Sequence, residues 1–397
     1  LVNWRRRMDT VWGGPDKAPK FPLPNNHELL LDLCMDSEEE WLQDQVLLTL
    51  DKMALGGIYD QIGGGFARYS TDKEWKVPHF EKMLYDNAQL IRLYSRAFTH
   101  FNHPMFKRIV EESIQWALDE MHEENGRFYS ALDADSEGEE GLFYTWPEEE
   151  LHHIRENLPE LQVDQWFQLD SGEEWEGRFI LQRRQTDRQA IDNHFDGNAK
   201  AFDEAWSKLK SEMLGMRSKR VRPGLDDKSL TSWNALMISG LCAAFDALGN
   251  ASYRKEAEKT FTFIKDQMMD DGKLLHAYNR GAGYGDAMLD DHVFLVRAAM
   301  DLHRICGKDE YLQFAYSLTE AAIQHFGDDD HPLFWFSTDS SLAVRTKENE
   351  DNVIPAANSQ MARNLYELGL LFGKPEWMEQ SREMLSFVVE GLERYPE

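Results

Sequence analysis

"VPHFEKMLYDNAQL", residues 77–90, sets His79, Glu81, Lys82, Asp86 and Asn87 at the head of a run in which Phe80, Leu84, Ile91, Tyr94 and Phe98 recur at three- and four-residue spacing. That spacing predicts an amphipathic helix over 79–99. Pro78 suits its first position, where the missing N–H removes no hydrogen bond. On such a helix His79 and Asp86 share a flank, about 10 Å apart along the axis. Asn87 falls inside the apolar stripe and needs partners there, because an unsatisfied buried amide costs about 1–3 kcal/mol. A capped helix with one satisfied core amide accounts for this segment alone. The recurrence of the same kind of start elsewhere decides the fold.

"YDNAQLIRLY" (85–94), "SWNALMISGL" (232–241), "DDHVFLVRAAM" (290–300) and "ANSQMARNLY" (357–366) each place polar groups ahead of an apolar run. Asn87 and Asn234 are 147 residues apart, Asn234 and His292 are 58 apart, and His292 and Ser359 are 67 apart. The first interval reads as two units plus an insertion, supplied by residues 158–198. Between helices lie short alternating aromatic stretches: "GGGFARYS" (63–70), "NGRFYSALD" (125–133), "DGKLLHAYN" (271–279) and "HPLFWFSTD" (331–339). There is no alternation of strands and helices. A repeat of roughly 60 residues, each a helix pair with a decorated loop, signals an array. We therefore expect one all-α domain over 1–397, an (α/α)6 toroid whose inner helices start at one rim together with short β-hairpin loops. An open solenoid of helix pairs is the alternative.

Composition bounds the function. The chain has 397 residues, 42% hydrophobic and 12% aromatic, enough for a large core. The formal charge of −28, with no basic stripe, argues against nucleic-acid and anionic-membrane partners. No apolar run is long enough to span a bilayer. Cys34, Cys242 and Cys306 are far apart and form no C-x-x-C, which fits a reduced, cytoplasmic setting and gives no redox or zinc signal. "GGIYDQIGGG" lacks the Lys-Ser/Thr of a phosphate-binding loop, and no serine nucleophile elbow is present, so no cofactor is expected.

"APKFPLP" (18–24), "GGIYDQIGGGFARYSTDKEWKVPHFEKMLYDNAQL" (56–90), "FYSALDADSEGEEGLFYTW" (128–146), "DDKSLTSWNALMISGL" (226–241) and "LAVRTKENEDNVIPAANS" (342–359) resemble the helical domain of a thioredoxin-domain-containing family that includes a vertebrate spermatogenesis-associated protein. The resemblance covers nearly the whole chain, and the 56–90 block is its most specific part. It implies a preceding thioredoxin-like domain, absent from this chain, as a partner in the full-length protein. It also implies a toroid similar to N-acylglucosamine epimerases and several glycoside hydrolases; the fold does not by itself imply their reactions. Two departures stand out: "LDDHVF" puts His292 where relatives carry an aromatic, and "IPAANS" replaces a small-residue stretch with Ser before Gly.

Four polar clusters are expected to meet at the ring mouth. They are Arg68, Tyr69, His79, Glu81, Asp86 and Asn87; Asp133 and Asp135 of an acidic loop; Asp227, Trp233 and Asn234; and Asp291 and His292 with Arg345, Glu348 and Asn358. A sugar-like small molecule suits this set, since aromatic faces stack on rings while carboxylates and amides bind hydroxyls. Epimerisation beside a carbonyl needs a base on one face and an acid on the other, and histidine titrates near neutrality. Hydrolysis would need two carboxylates instead. His79 is the first choice for acid–base work and His292 the second, with Asp86 and Asp291 as carboxyl candidates. Arg68 and Arg345 are expected to bind a carboxylate or developing oxyanion. "DADSEGEEG" lacks the twelve-residue spacing of a calcium loop, so no metal is expected. The contrasting function is a non-catalytic ligand- or protein-binding module for the thioredoxin-like domain.

Overall fold

The computed structural model describes residues 2–36, 39–170, 174–339 and 345–392. In chain order its helices are α1 (Val2–Arg5), α2 (Pro24–Asp36), α3 (Glu40–Leu55), α4 (Leu84–Phe101), α5 (Pro104–Glu120), α6 (Glu148–Asn157), α7 (Val163–Trp166), α8 (Asp187–His194), α9 (Ala199–Arg217), α10 (Thr231–Leu248), α11 (Ala251–Gln267), α12 (Leu289–Cys306), α13 (Asp309–Phe326), α14 (Ala357–Phe372) and α15 (Pro375–Leu392). Strands are short, and most of them lie in the loops that precede or follow inner helices.

Inner and outer helices alternate. α4, α10, α12 and α14 are each joined to the following outer helix by two residues, beginning with Asn102, Gly249, Gly307 and Gly373. All four of those residues have left-handed backbones, φ 50°, 69°, 66° and 63°. A left-handed residue satisfies the last helical carbonyls and turns the chain back, which glycine does without steric cost. Around the ring α2 packs on α4, α4 on α10, α10 on α12 and α12 on α14. The architecture is an α/α toroid of the six-hairpin class, and the described residues form five of its helix pairs. The main core lies between the inner and outer layers.

Residues 158–198 share a second apolar cluster with segments on both sides of them. Trp146, Leu151, Trp166, Phe167, Trp206 and Leu209 build it, and Ile62 joins it from the main ring. Arg217 at the end of α9 ties this lobe down through Asp60 (2.9 Å), which also holds the buried Lys82 (2.9 Å).

One expected element begins elsewhere. Pro78–His79 is a strand paired with Tyr69–Ser70, Lys82–Met83 pairs with Ala131–Leu132, and α4 starts only at Leu84. Phe80 packs in a separate small cluster with Ala134 and Ile180. His79 and Asp86 therefore do not share a helix flank.

Candidate active site at the inner-helix rim

The polar residues heading the inner helices stitch the ring together. Asn87 Oδ1 accepts from the Phe66 amide (2.7 Å), while its Nδ2 donates to the Phe66 (3.0 Å) and Met83 (2.9 Å) carbonyls. Asn234 does the same with Phe128 N (2.9 Å), Phe128 O (3.1 Å) and Leu230 O (2.9 Å). Asn358 repeats it with Phe334 N (2.8 Å), Phe334 O (3.0 Å) and Glu348 O (2.9 Å). Two residues beyond two of these phenylalanines, the loop carbonyls cap neighbouring inner helices: Leu84 N donates to Ser130 O (2.9 Å) and Leu289 N to Phe336 O (3.0 Å). Three of the four aromatic loops are thus clamped by an inner-helix asparagine, and two of them also bond to a neighbouring inner helix. This corrects the expectation for Asn87, Asn234 and Asn358. Their amides are buried and saturated with backbone bonds, so they hold the frame and do not meet a ligand.

The same register explains His292. Its Nδ1 meets Met288 O (2.9 Å), four residues back, and its ring packs edge-on against Phe326. Burial pushes its pKa down, and these contacts hold the ring inside the wall. His27, the fourth residue of α2, is also buried with neither ring nitrogen hydrogen-bonded, and burial lowers its pKa to about 4.

Asp291 is fully buried as well. Oδ1 accepts from Ser232 N (2.9 Å), and Oδ2 accepts from Met288 N (2.9 Å) and pairs with His276 Nδ1 (2.8 Å). Asp291 therefore orients His276, and this more exposed imidazole is the group able to exchange protons. The hydrogen bond to Asp291, outweighing burial, raises the His276 pKa. Burial and then the neighbouring Asp291 charge push Asp290 up to about 7. His276 carried no sequence signal beyond its place in an alternating strand.

On the α4 side, His79 is stacked on Tyr69 (5.0 Å between ring centres) and half-buried between two carboxylates. Its Nδ1 lies 2.7 Å from Glu140 and its Nε2 3.8 Å from Glu81, which in turn holds Arg68 at 3.1 Å. Glu140 was hidden in an acidic run. Behind Arg68, Asp86 Oδ2 and the Tyr85 hydroxyl are buried without a hydrogen-bond partner among the described residues. Burial raises the Asp86 pKa well above its ordinary value, despite Arg68 nearby. Tyr85 packs edge-on against Trp233 (4.8 Å), and Val353 and Ile354 cover this pair. Arg68, Tyr69, His79, Glu81, Asp86 and Trp233 thus form one continuous patch of the rim, which Ser232 connects to Asp291 and His276.

The remaining expected ligand groups lie apart. Asp133 and Asp135 are exposed in the acidic turn, and Asp227 accepts from the Asn279 amide (3.1 Å). The Glu348 side chain is exposed, its carbonyl serving Asn358. Arg345 lies over Trp335 (4.4 Å) and donates to Ser337 O (2.8 Å), so its guanidinium is engaged within its own loop and is not an oxyanion donor of the mouth.

Below the rim the lumen opens. Two residues beyond each frame position, Leu29, Gln89, Leu236, Phe294 and Gln360 line a cavity of about 230 Å³ whose roof includes Asp351 and Pro355. Three residues further on, Asp32, Arg92, Ser239, Arg297 and Arg363 form the next layer. Arg92, Ser239, Arg297 and Arg363 also line a second cavity of about 440 Å³ toward the other end of the ring, so this layer is the waist of one lumen. His79, Asp86, Asp291 and His292, the residues expected to be catalytic, line neither cavity.

No family model matches the chain. An uncharacterised protein of Caenorhabditis elegans is 33% identical over 98% of this chain and 58% of its own length. Human spermatogenesis-associated protein 20 is 30% identical over 98% of this chain and 55% of its own length. Rat and mouse spermatogenesis-associated protein 20 match likewise, at 30% identity over 98% of this chain and 54% of their own length. The chain spans little more than half the length of these curated relatives. Among solved structures, cellobiose 2-epimerases of Bacillus thermoamylovorans and Spirochaeta thermophila match with TM-scores of 0.60 and 0.59. Both matches cover 98% of this chain, at 8% and 12% identity, and 83% and 81% of those chains. A GH76 α-mannanase of Bacteroides thetaiotaomicron matches at 0.52, with 10% identity, over 93% of this chain and 74% of that one. At these identities the likeness establishes the toroid fold. Among the described residues no helix is long and apolar enough to cross a membrane.

Proposed function

We propose that this spermatogenesis-associated protein 20 homologue is a carbohydrate-active enzyme that moves protons on a sugar, as epimerases and isomerases do. The observation that carries this reading is a pair of histidine–carboxylate couples on one rim. His79 with Glu140 and Glu81 heads α4, and His276 with Asp291 stands at the start of α12, linked through Tyr85 and Trp233. One imidazole removes the proton beside a reducing sugar's carbonyl, and the other returns a proton to the opposite face. Arg68 holds the oxyanion of the enediolate, the Asp86 carboxyl lies behind it, and the partly exposed Trp233 offers an aromatic face to the ring. In the longer protein a thioredoxin-like domain is the proposed partner, in a reducing cytoplasm.

Incubation with reducing mono- and disaccharides in D2O tests the reading by NMR. Deuterium is expected at the carbon next to the carbonyl, with loss of exchange in His79→Asn and His276→Asn. Absence of exchange on every sugar, or unchanged exchange in both variants, rejects it. A second reading, two-carboxylate hydrolysis, draws on Asp290 held near neutrality beside Asp291. It predicts release of a shorter sugar without exchange, and loss of that release in Asp290→Asn.

A further inference from the structure

The lumen waist is built from three arginines that the rim chemistry does not use. Arg92, Arg297 and Arg363 lie on α4, α12 and α14, each five residues after the frame position of its helix, so the ring brings three guanidinium groups to one depth. Arg297 is engaged by Asp301 (2.6 Å) and Glu367 (2.6 Å). Arg363 pairs through Nε with Glu367 at 2.9 Å; Arg92 pairs through Nε with Glu28 at 3.0 Å and, more loosely, through a terminal nitrogen with Asp301 at 3.9 Å. Among the described residues the terminal nitrogens of Arg363 have no ion-pair partner, and they are the donors left for a guest, with Arg92 beside them. The one acid of the layer, Asp32, is paired with Arg96. Directly above, the amides of Gln89 and Gln360 and the faces of Leu236 and Phe294 offer a mixed wall suited to a hydroxylated ring.

We infer that the waist is an oxyanion subsite, and that the ligand entering from the rim is an anionic sugar carrying a carboxylate or a phosphate at the end away from its carbonyl. This deepens the proposed sugar chemistry and rests on it for the identity of the ring. A planar guanidinium fork matches a carboxylate or phosphate through two parallel N–H···O bonds, and across a partly enclosed lumen such bonds are little screened. A neutral sugar would leave the terminal nitrogens of Arg363 without a charged partner, so the site discriminates by charge.

Calorimetric titration of the protein with glucuronate, glucose 6-phosphate, glucose and inorganic phosphate tests this, alongside Arg363→Gln, Arg92→Gln and, as a control, Arg382→Gln on the outer surface. At least one anionic sugar is expected to bind roughly tenfold or more tighter than glucose, the effect of one charge-assisted hydrogen bond. Arg363→Gln should bring it down to the glucose level with glucose affinity unchanged, while Arg382→Gln keeps the preference. Glucuronate ahead of glucose 6-phosphate identifies the group as a carboxylate, and the reverse order as a phosphate ester. Equal affinity for charged and neutral sugars, binding of inorganic phosphate alone, or a preference that survives both Arg363→Gln and Arg92→Gln overturns the subsite. Arg92→Gln with circular dichroism matching the parent separates loss of the subsite from loss of the fold. Anionic-sugar binding without proton exchange would reject the proposed reaction and keep the subsite. Exchange on anionic sugars at a rate untouched by both Arg363→Gln and Arg92→Gln would do the opposite.

Discussion

At the scale of single residues, the three frame asparagines depend on a property that only a primary amide of this length has. One end accepts and the other donates twice, so a single side chain serves both polar groups of a buried phenylalanine residue and one further backbone carbonyl. Asn234→Leu would leave Phe128 N–H without its partner, at about 1–3 kcal/mol, while Phe128 C=O keeps the Ser229 hydroxyl (2.8 Å). We expect urea unfolding to show a loss of about 2 kcal/mol, and a loss under 1 kcal/mol would mean that water replaces the amide. Asn87→Asp gives a sharper test. Its second oxygen would face the Phe66 and Met83 carbonyls, so the carboxyl must be protonated in the fold and its folded pKa is raised. Stability of this variant should be highest below the unfolded carboxyl value near 4 and fall as pH climbs through the folded one; a pH-independent difference from the parent would refute it. That Asn87 needs partners could be read from its place in an apolar stripe. Which partners could not be read, because they are backbone groups of Phe66, and backbone partners leave no side-chain signature. His276 was equally silent: one histidine in an alternating strand does not announce that Asp291, fifteen residues on, will hold it.

At the scale of elements, the helix pairs were legible because four inner helices carry strong apolar stripes and three of them end on glycine. The start of α4 was not. Phe80 continues the three- and four-residue rhythm by coincidence, while Pro78–His79 and Lys82–Met83 gain strand partners about 9 and 49 residues away, and such pairing overrides local periodicity. The closest approach between inner helices is also a sequence matter. A Cβ built on Gly240 of α10 would stand 2.6 Å from the Ala88 carbonyl oxygen of α4. That neighbour is backbone and cannot rotate away. Gly240→Ala should therefore push α10 off α4 and cost about 1–3 kcal/mol, even though alanine is the better helix former by about 1 kcal/mol. Thermal unfolding of Gly240→Ala at or above the parent's midpoint would show that the two helices have slack between them.

At the scale of the whole molecule, the ring carries an excess of buried carboxyl groups whose charging opposes the fold. Burial raises Asp51 and Asp290 to about 7 and raises Asp86 as well, and His276 is raised by Asp291. For every one of these the folded value lies above the unfolded value, so the stability each contributes is complete below the unfolded pKa and is lost as pH rises through the folded pKa. For Asp51 and Asp290 that window runs from about 4 to 7. His27, His103 and His292 work the other way. Burial lowers all three, His27 to about 4, so their contributions are present above about 6.5 and lost on acidification, three groups against four. Glu123 and Asp301, both lowered to about 2, lose their contributions only in stronger acid. The formal charge of −28 adds self-repulsion that grows with pH. The protein should accordingly be more stable at pH 5 than at pH 8, and Asp290→Asn should flatten the slope between about pH 4 and 7. Urea unfolding across that range measures it directly. A parent curve that rises toward pH 8, or an Asp290→Asn slope as steep as the parent's, would mean that these carboxyl groups find water in the fold and that the rim is wetter than its burial indicates.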